Sequence, residues 1–366
     1  MSIESQIINY IKENVSVSPV KQFEGVPGFS EKTTIDDDCV VIDWPGDFDL
    51  IVGSDFVRGA GFRLFKKNKL SFFDIGYYLT AANASDLAAM GATPVGFLDV
   101  LRYTKEMTFS DARDIIDGIL EACRVFKMPL LGGDTGGYEL PVTSGAALGI
   151  CKKGCALLRS NCKPGDHIYL SGHTGIAGVA SAYFSNNRDG SLPIEDERLL
   201  LLSWRRPDPQ LSLGMFLVEK GYSCCAMDTS DGLRVSVEQL ARSSNVAIDI
   251  WLDDVPISDL VQKVAAIQGF TSKRDIYEFV FSDSVDFRLL YTIPDEKVTA
   301  FEQEATVRGF GAIHIGRAIE ERDGGYCKAV TNDGNKTDLP GIGWDQNEIP
   351  TYIRVEKEIK NRKQDI

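Results

Sequence analysis

Single aspartates recur in this sequence at the ends of apolar runs and inside turns of small residues. They are Asp37 and Asp38, Asp55, Asp86, Asp134, Asp228 and Asp231. Mg²⁺ gives up its water reluctantly, so its protein sites combine a few carboxylates with waters and the oxygens of a substrate phosphate. Turns and helix N-termini also select aspartate for local hydrogen bonds, and for each residue taken alone that structural explanation is the better one.

The glycine-rich run from Gly132 to Gly137 predicts a flexible loop whose backbone N–H groups could hold phosphate oxygens. A plain glycine turn explains the run equally well. No Gly-Lys-Ser or Gly-Lys-Thr follows, so it is not a Walker A loop, and the segment from Gly172 to Gly178 lacks the spacing of the dinucleotide fingerprint. The familiar nucleotide-binding folds are therefore disfavoured.

Histidine is scarce, and His167, His173 and His314 have no metal-ligand or triad partner at a recognisable spacing. We interpret all three as structural residues. Their scarcity does not exclude phosphoryl transfer, because an acceptor that is itself a phosphate is already an anion and needs no general base.

The elements that must position these side chains alternate between short apolar strands and amphipathic helices, which predicts mixed α/β organisation in both halves. In the first half we expect strands at 40–42, 50–52, 97–103 and 142–151, and helices at 72–90 and 109–126, the second with Ser110 as its N-cap. In the second half we expect strands at 167–171, 223–227, 246–251, 287–293 and 312–319, helices at 175–184, 210–220, 233–243 and 295–308, and a polar loop at 185–197.

Chain length and local composition predict two domains. A helical pattern at the N-terminus precedes a connector at 15–34 that is rich in Gly, Pro and Ser, and a sharp turn at 163–166 follows the polar stretch 159–162. We place an N-terminal ATP- and metal-binding and dimerisation domain at 1–158, a C-terminal α/β domain at 159–350 and a tail at 351–366.

The formal charge of −14 would repel a polyanion, so nucleic acid is not an expected partner. The eight cysteines include no C-x-x-C pair, which favours reduced, mostly buried thiols. Acids interrupt the N-terminal apolar pattern, and no apolar stretch approaches the roughly 20 residues of a membrane span. We therefore expect a cytoplasmic protein without a membrane partner.

Taken in their order, the motifs resemble those of the thiamine-monophosphate kinase family. That family belongs to the superfamily that also holds aminoimidazole ribonucleotide synthetase, selenophosphate synthetase and a hydrogenase-maturation protein. The matching segments cover about residues 35 to 345 and are Asp37–Cys39, Ser54–Asp55, Asn83–Ala92, Gly132–Thr135, Leu158–Ser160, Lys163–Asp166, Arg206–Pro207 and Asp228–Leu233.

The resemblance implies a two-domain α/β fold of the aminoimidazole ribonucleotide synthetase type, in which the N-terminal sheets of two subunits pair in a homodimer with ATP near the interface. It implies that six of these aspartates, all except Asp38, coordinate magnesium ions bridging the phosphates, and it assigns no catalytic residue. The ATP-binding residues it implies are Ser54, Gly133, Asp134, Arg159 and Ser230. The implied reaction is magnesium-dependent, in-line transfer of the γ-phosphoryl group of ATP to thiamine monophosphate.

The acceptor side departs from the family pattern. Gly61 and Phe62 stand where the family usually has a histidine before a phenylalanine, and both glutamates of the Gly-Glu-Asp-Tyr-Glu-Leu segment are absent from 284–289, where Arg288 replaces one of them. The substrate-binding positions implied are Gly61, Val285, Asp286 and Trp344. A tryptophan face could stack on a cationic ring such as thiazolium, and a core-edge tryptophan is the competing explanation.

Three hypotheses follow. The first is a phosphotransferase acting on thiamine monophosphate or a related small phosphorylated acceptor. The second is an ATP-dependent ligase, cyclase or kinase of the same superfamily with a different acceptor, which the altered acceptor residues leave open. The third is a non-catalytic nucleotide-binding paralogue, against which stands the full set of aspartates.

Overall fold

The computed structural model describes residue 10 and residues 37–320 and 327–342. The expected N-terminal helix, the connector, Trp344 and the tail lie outside the described residues. The first half forms a five-stranded sheet in the order β1-β2-β5-β3-β4, with β3 and β4 parallel. Its elements are β1 (Val40–Asp43), β2 (Phe48–Val57), α1 (Arg63–Lys66), α2 (Phe72–Ala89), β3 (Thr93–Tyr103), α3 (Phe109–Phe126), β4 (Leu130–Gly137) and β5 (Val142–Lys152).

Helix α2 is the central helix of this half. Ser71 and Asp74 form a reciprocal capping box at its N-terminus. Its many small side chains let neighbouring elements approach closely. A Cβ at Gly76 would lie 1.9 Å from the carbonyl oxygen of Ile115 on α3, and a Cβ at Gly118 would lie 2.0 Å from that of Phe73. The two glycines are therefore required where α2 and α3 cross.

The five-stranded sheet has one face covered by α2 and a second face that carries exposed apolar side chains. Successive residues of a strand point to opposite faces, so the register assigns each side chain to one of them. The residues of the second face, called the open face below, include Leu50, Val52, Ser54 and Phe56 of β2, Ala146 and Leu148 of β5, Leu98, Val100 and Arg102 of β3, and Asp134 of β4. Phe56 and Leu98 keep 57% and 39% of their surfaces exposed.

The second half contains a seven-stranded sheet in the order β12-β11-β8-β10-β6-β9-β7, packed with helices. Its elements are β6 (His167–Leu170), α4 (Ile176–Ser185), α5 (Ile194–Arg205), α6 (Leu211–Glu219), β7 (Ala226–Asp228), α7 (Leu233–Ser244), β8 (Ala247–Trp251), α8 (Asp259–Ile267), α9 (Lys273–Phe281), β9 (Leu289–Ile293), α10 (Val298–Arg308), β10 (Ile313–Ile319), β11 (Cys327–Val330) and β12 (Lys336–Thr337).

The two halves meet along α2. A Cβ at Gly214 of α6 would lie 2.1 Å from the carbonyl oxygen of Ala88, so this contact is also made by backbone against backbone. Near the same end of α2, the hydroxyl of Ser85 donates a 2.7 Å hydrogen bond to Asp228 at the end of β7. The boundary expected at residues 158 and 159 lies between the two sheets.

Several local expectations were wrong. The glycine-rich run is not a loop but strand β4, because its backbone pairs with β3. Thr108, not Ser110, caps α3, with a capping box to Asp111. Part of the expected polar loop at 185–197 belongs to α5, and helices α8 and α9 were not expected.

The eight cysteines are free thiols, five of them buried, as expected. None of the described helices has the length and apolar character needed to cross a bilayer.

Candidate functional site

Arg159 joins two of the aspartates at the start of β1. Its backbone N–H donates to Asp37 at 3.0 Å, and its guanidinium donates to both carboxylate oxygens of Asp38. Gln239 of α7 accepts a further hydrogen bond from the guanidinium at 3.0 Å. The side chains of Asp37 and Asp38 keep only 4% and 3% of their surfaces exposed. The predicted Arg159 therefore anchors the Asp37–Asp38 turn.

Asp55 and Asp86 lie on the face of the sheet that α2 covers. The backbone N–H of Asp55 donates to the side-chain oxygen of Asn83 at 3.1 Å, which ties β2 to α2. A Cβ at Gly53 would lie 3.5 Å from a carboxylate oxygen of Asp86 and 2.7 Å from the sulfur of Cys39. Glycine at position 53 therefore leaves room for the sulfur of Cys39, and the carboxylate of Asp86 lies within contact distance of the same point.

Asp228 brings a carboxylate from the second half to the same place. One of its oxygens accepts from Ser85, and the other accepts from the backbone N–H and hydroxyl of Ser230 at 3.2 and 2.8 Å. Its backbone carbonyl accepts from Ser236 of α7 at 2.9 Å. The predicted residues Asp228 and Ser230 are thus held together by a fully hydrogen-bonded turn at the junction of the halves.

These carboxylates influence one another electrostatically. Burial and then Asp38 raise the pKa of Asp37, Arg159 opposes the rise, and the net pKa is about 7. Burial raises the pKa of Asp55 to about 6, with a contribution from Asp228. Burial, followed by Asp228, Asp55 and Asp38, raises the pKa of Asp86 well above its usual range. We call these five residues, Asp37, Asp38, Asp55, Asp86 and Asp228, the carboxylate cluster.

The carboxylate cluster has more negative charge than its arginine can balance, and its donors are the hard oxygens that Mg²⁺ prefers. In the described part of the chain, no three His, Cys, Asp or Glu side chains converge closely enough to hold an ion by themselves. That arrangement fits an ion that takes only one or two carboxylates and completes its shell with water and phosphate oxygens. It does not fit an all-protein cage.

Two predicted ATP-binding residues, Ser54 and Asp134, lie on the open face, whereas Asp55 faces α2. Arg102 donates to the backbone carbonyl of Asp134 at 3.0 Å and forms an ion pair with its carboxylate. Gly133 pairs with Asp99, and a Cβ at Gly133 would lie 2.2 Å from the Asp99 carbonyl oxygen. Within the protomer, the register therefore separates Asp134 from the carboxylate cluster.

The remaining predicted residues lie on the second half or on the turn after β2. Asp231 follows the Asp228 turn, directly before the N-terminus of α7. Gly61 is exposed at the end of a short 3₁₀ turn, Gly59–Gly61. The carboxylate oxygens of the buried Asp286 accept from the backbone N–H groups of Gly175 and Ala177, so this side chain holds the N-terminus of α4.

Sequence reasoning missed the polar residues that hold the carboxylates in place. Asn83 and Ser85 are fully buried in a helix that is otherwise rich in small apolar residues, and that contrast was the available signal. Asp38 was quoted in a motif but not assigned a role. Nothing local indicates that Arg102 pairs with Asp134, because the contact depends on the parallel register of β3 and β4.

Family comparisons agree with this architecture. Residues 36–151 match the family model described as AIR synthase related protein, N-terminal domain, and residues 163–327 match the corresponding C-terminal domain. The two matched segments correspond to the two halves and their sheets. Fold and site together thus define a protein of the AIR synthase related class, and the expected fold class is confirmed.

Comparison with individual proteins identifies the family within this class. The thiamine-monophosphate kinase of Pyrococcus abyssi is 32% identical over 254 residues, covering 68% of this chain and 76% of that protein. The thiamine-monophosphate kinase structure from Stenotrophomonas maltophilia matches with a TM-score of 0.69 and 26% identity, covering 83% and 91% of the two chains. A structure described as AaThiL complexed with AMPPCP and TMP shares the fold with a TM-score of 0.75 at 21% identity, covering 94% and 99%. The chain belongs to the thiamine-monophosphate kinase family, as the motifs indicated.

Proposed function

We propose that this protein transfers the γ-phosphoryl group of ATP to the phosphate of thiamine monophosphate, forming thiamine diphosphate and ADP. The carboxylate cluster at the junction of the halves carries the proposal, because a buried excess of carboxylates is suited to the metal ions that accompany a polyphosphate. The identity of the acceptor, thiamine monophosphate, is inferred from membership in the family. The third hypothesis, a non-catalytic paralogue, does not explain why the cluster is retained.

The chain's own residues would act by positioning. Asp37, Asp55, Asp86 and Asp228 would hold Mg²⁺, with Asp231 beside them, and bound Mg²⁺ would neutralise charge on the phosphates. Ser230 and Arg159 would orient the nucleotide from the second half and from the turn between the sheets. Because the acceptor phosphate is already an anion, no side chain has to remove a proton from it.

The protein is proposed to work as a homodimer, with the open face of one subunit paired with that of another. Two observations support this. The face carries exposed apolar side chains such as Phe56 and Leu98, which a partner would remove from water. It also carries Ser54 and Asp134, which would join a nucleotide site only if that site lies at the subunit interface.

The experiment is to incubate purified protein with Mg²⁺ and ATP, with and without thiamine monophosphate, and to measure ADP together with the thiamine products separated by chromatography. We expect thiamine diphosphate to form in equal amount to ADP. ATP binding without thiamine diphosphate would exclude this acceptor. The Asp134→Asn variant should fold normally and lose turnover, and retained turnover would exclude a metal role for Asp134.

A second candidate is transfer to a different small anionic acceptor. The observation that favours it is Arg288, whose charge is opposite to that of the family glutamate at this position. The same assay with other phosphorylated acceptors tests it, since ADP would then form only with the alternative compound.

A further inference from the structure

Arg288 is held beside the carboxylate cluster by its backbone. Its N–H donates to the hydroxyl of Thr229 at 3.2 Å, and its carbonyl accepts from the N–H of Thr229 at 2.9 Å. The next residue, Leu289, pairs with Asp228 across β7 and β9. Arg288 is therefore adjacent in sequence to Leu289, the residue that pairs with Asp228, a proposed metal ligand.

Among the described residues, the guanidinium of Arg288 forms no ion pair, and one of its nitrogens has no hydrogen-bond partner. Its Nε is sealed from solvent and has no hydrogen-bond acceptor among the described residues. The group packs against the chain at Gly172, where a Cβ would lie 3.3 Å from the Nε. A buried donor without a partner is unfavourable, and in a native fold it calls for an explanation.

Neighbouring charges leave Arg288 available to an anion. Asp286 is a nearby carboxylate: burial raises its pKa and the charge of Arg288 opposes the rise, but its oxygens already accept the N–H groups that begin α4 and the hydroxyl of Ser284. Burial lowers the pKa of His173, and Arg288 lowers it further, so this imidazole is neutral at pH 7. By contrast, Arg159 and Arg102 each form an ion pair with an aspartate.

The segment that precedes Arg288 is strained. Val285 and Phe287 have φ angles of 39° and 49°, in the left-handed region that branched and bulky side chains avoid. Such backbone conformations are unfavourable and persist where surrounding contacts impose them. Here the contacts of Asp286 with α4 and of Arg288 with Thr229 impose the conformation. The strained backbone in turn fixes the position of the Arg288 Cα.

We propose that Arg288 is a specificity-determining residue that binds an oxyanion of the acceptor, namely its phosphate. This inference rests on the proposed function, because the acceptor phosphate must come close to the carboxylate cluster in order to meet the γ-phosphate. An anion that enters a site rich in carboxylates needs a cation that is not already neutralised. Arg288 meets that need beside Asp228.

The first measurement is a kinetic comparison of Arg288→Ala and Arg288→Lys with the wild type. For Arg288→Ala we expect the KM for thiamine monophosphate to rise at least tenfold, the KM for ATP to stay within twofold, and kcat to change less than threefold. Arg288→Lys should recover part of the loss, since it restores the charge without the planar fork. Arg198→Ala, which removes an exposed arginine paired with Glu195 on α5, is the control and should change neither constant.

The second measurement does not depend on turnover. Inorganic phosphate, added in EDTA so that no metal can mediate binding, should raise the melting temperature of the wild type and of Arg198→Ala but not that of Arg288→Ala. Without phosphate, Arg288→Ala should melt no lower than the wild type, since the Nε of Arg288 has no hydrogen-bond partner among the described residues to lose.

The outcomes separate the two proposals. If the wild type makes no thiamine diphosphate but its response to phosphate depends on Arg288, the anion site stands and the proposed acceptor is wrong. An equal response to phosphate in Arg288→Ala, or a rise in the KM for ATP instead of the acceptor, would overturn the role of Arg288. A lower melting temperature without a change in either KM would show a structural arginine.

Discussion

At the scale of single residues, the carboxylate cluster is unfavourable for the metal-free fold and useful to a nucleotide complex. Asp86 shows this most clearly, because burial and three neighbouring aspartates raise its pKa well above the usual range. In the metal-free protein burial therefore favours the neutral carboxyl form of Asp86, whereas a bound cation would favour the carboxylate. Proton and metal compete for the same oxygens, which leads to two predictions.

The first prediction concerns Asp86→Asn. Asparagine resembles the protonated carboxyl, so the stability of the metal-free protein should stay within about 1 kcal/mol of the wild type. Turnover should fall by roughly 10²-fold or more, because a ligand that neutralises phosphate charge is lost. Thermal melting with and without Mg²⁺ and ATP measures the stability, and ADP release measures the turnover.

Asp117→Asn on the surface of α3 is the matched control. If Asp86→Asn kept its response to Mg²⁺, the assignment of Asp86 as a metal ligand would be wrong.

The second prediction concerns pH. The pKa of Asp37 is raised to about 7 in the fold from an ordinary value of 3.8, so between these values the folded state binds more protons than the unfolded state. Stability of the metal-free protein should therefore fall as pH rises from about 4 to about 7, by on the order of a few kcal/mol. Asp55, raised to about 6, adds to the same trend.

Denaturant unfolding in EDTA across this pH range tests the trend, and saturating Mg²⁺ with ATP should stabilise the protein more at pH 8 than at pH 5. Asp37→Asn should flatten the EDTA curve. A wild-type protein that gains stability as pH rises through this window would show that the carboxylates are not coupled in this way.

At the scale of elements, α2 determines where the site forms. It carries Asn83, Ser85 and Asp86 and contacts α3, the five-stranded sheet and the second half. Glycines allow α2 to pack closely against these elements. The positions of its polar side chains depend on that close packing. A change at a crossing glycine should therefore disturb the fold even though the site itself is untouched.

The third prediction is that Gly118→Ala destabilises the protein by about 2–3 kcal/mol, because its Cβ would lie 2.0 Å from the carbonyl oxygen of Phe73. In an exposed helix the same change would stabilise by about 0.5–1 kcal/mol, so the sign itself is informative. Denaturant unfolding measures the difference. Gly136→Ala, whose Cβ would meet nothing closer than 3.9 Å, is the control and should lie within about 0.5 kcal/mol of the wild type. A stable Gly118→Ala would mean that the helices can separate without cost.

Elements with strong patterns were predictable from the sequence, and those defined by distant contacts were not. The small-residue helix at α2 and the amphipathic α3 were expected close to their observed bounds. Strand β4 was not, because a glycine run has no strand propensity of its own and becomes a strand only through pairing with β3. The six aspartates were expected together, but the side chain of Asp134 lies on the other face of the sheet, and only the register reveals this.

At the scale of the whole molecule, the open face is where we propose that a second subunit binds. It exposes apolar residues on neighbouring strands and carries two predicted nucleotide-binding residues, Ser54 and Asp134. A second subunit would cover the apolar residues and would bring its own sheet against both polar ones. Oligomeric state and activity should therefore change together.

The last prediction is that Leu98→Glu makes the protein monomeric and lowers turnover by at least tenfold, while each monomer stays folded. Leu98 lies between Ala146 and Gly132 in the register and is 39% exposed, so a glutamate there is tolerated by a monomer. In a dimer, two glutamates would be buried without partners, which costs several kcal/mol. Sedimentation equilibrium should give half the wild-type mass, and circular dichroism should be unchanged. Val307→Glu, at an 86% exposed position on α10, is the matched control and should remain dimeric and active. A wild type that turns over ATP as a monomer would place Ser54 and Asp134 outside the active site, whereas a dimeric Leu98→Glu would move the interface to another face.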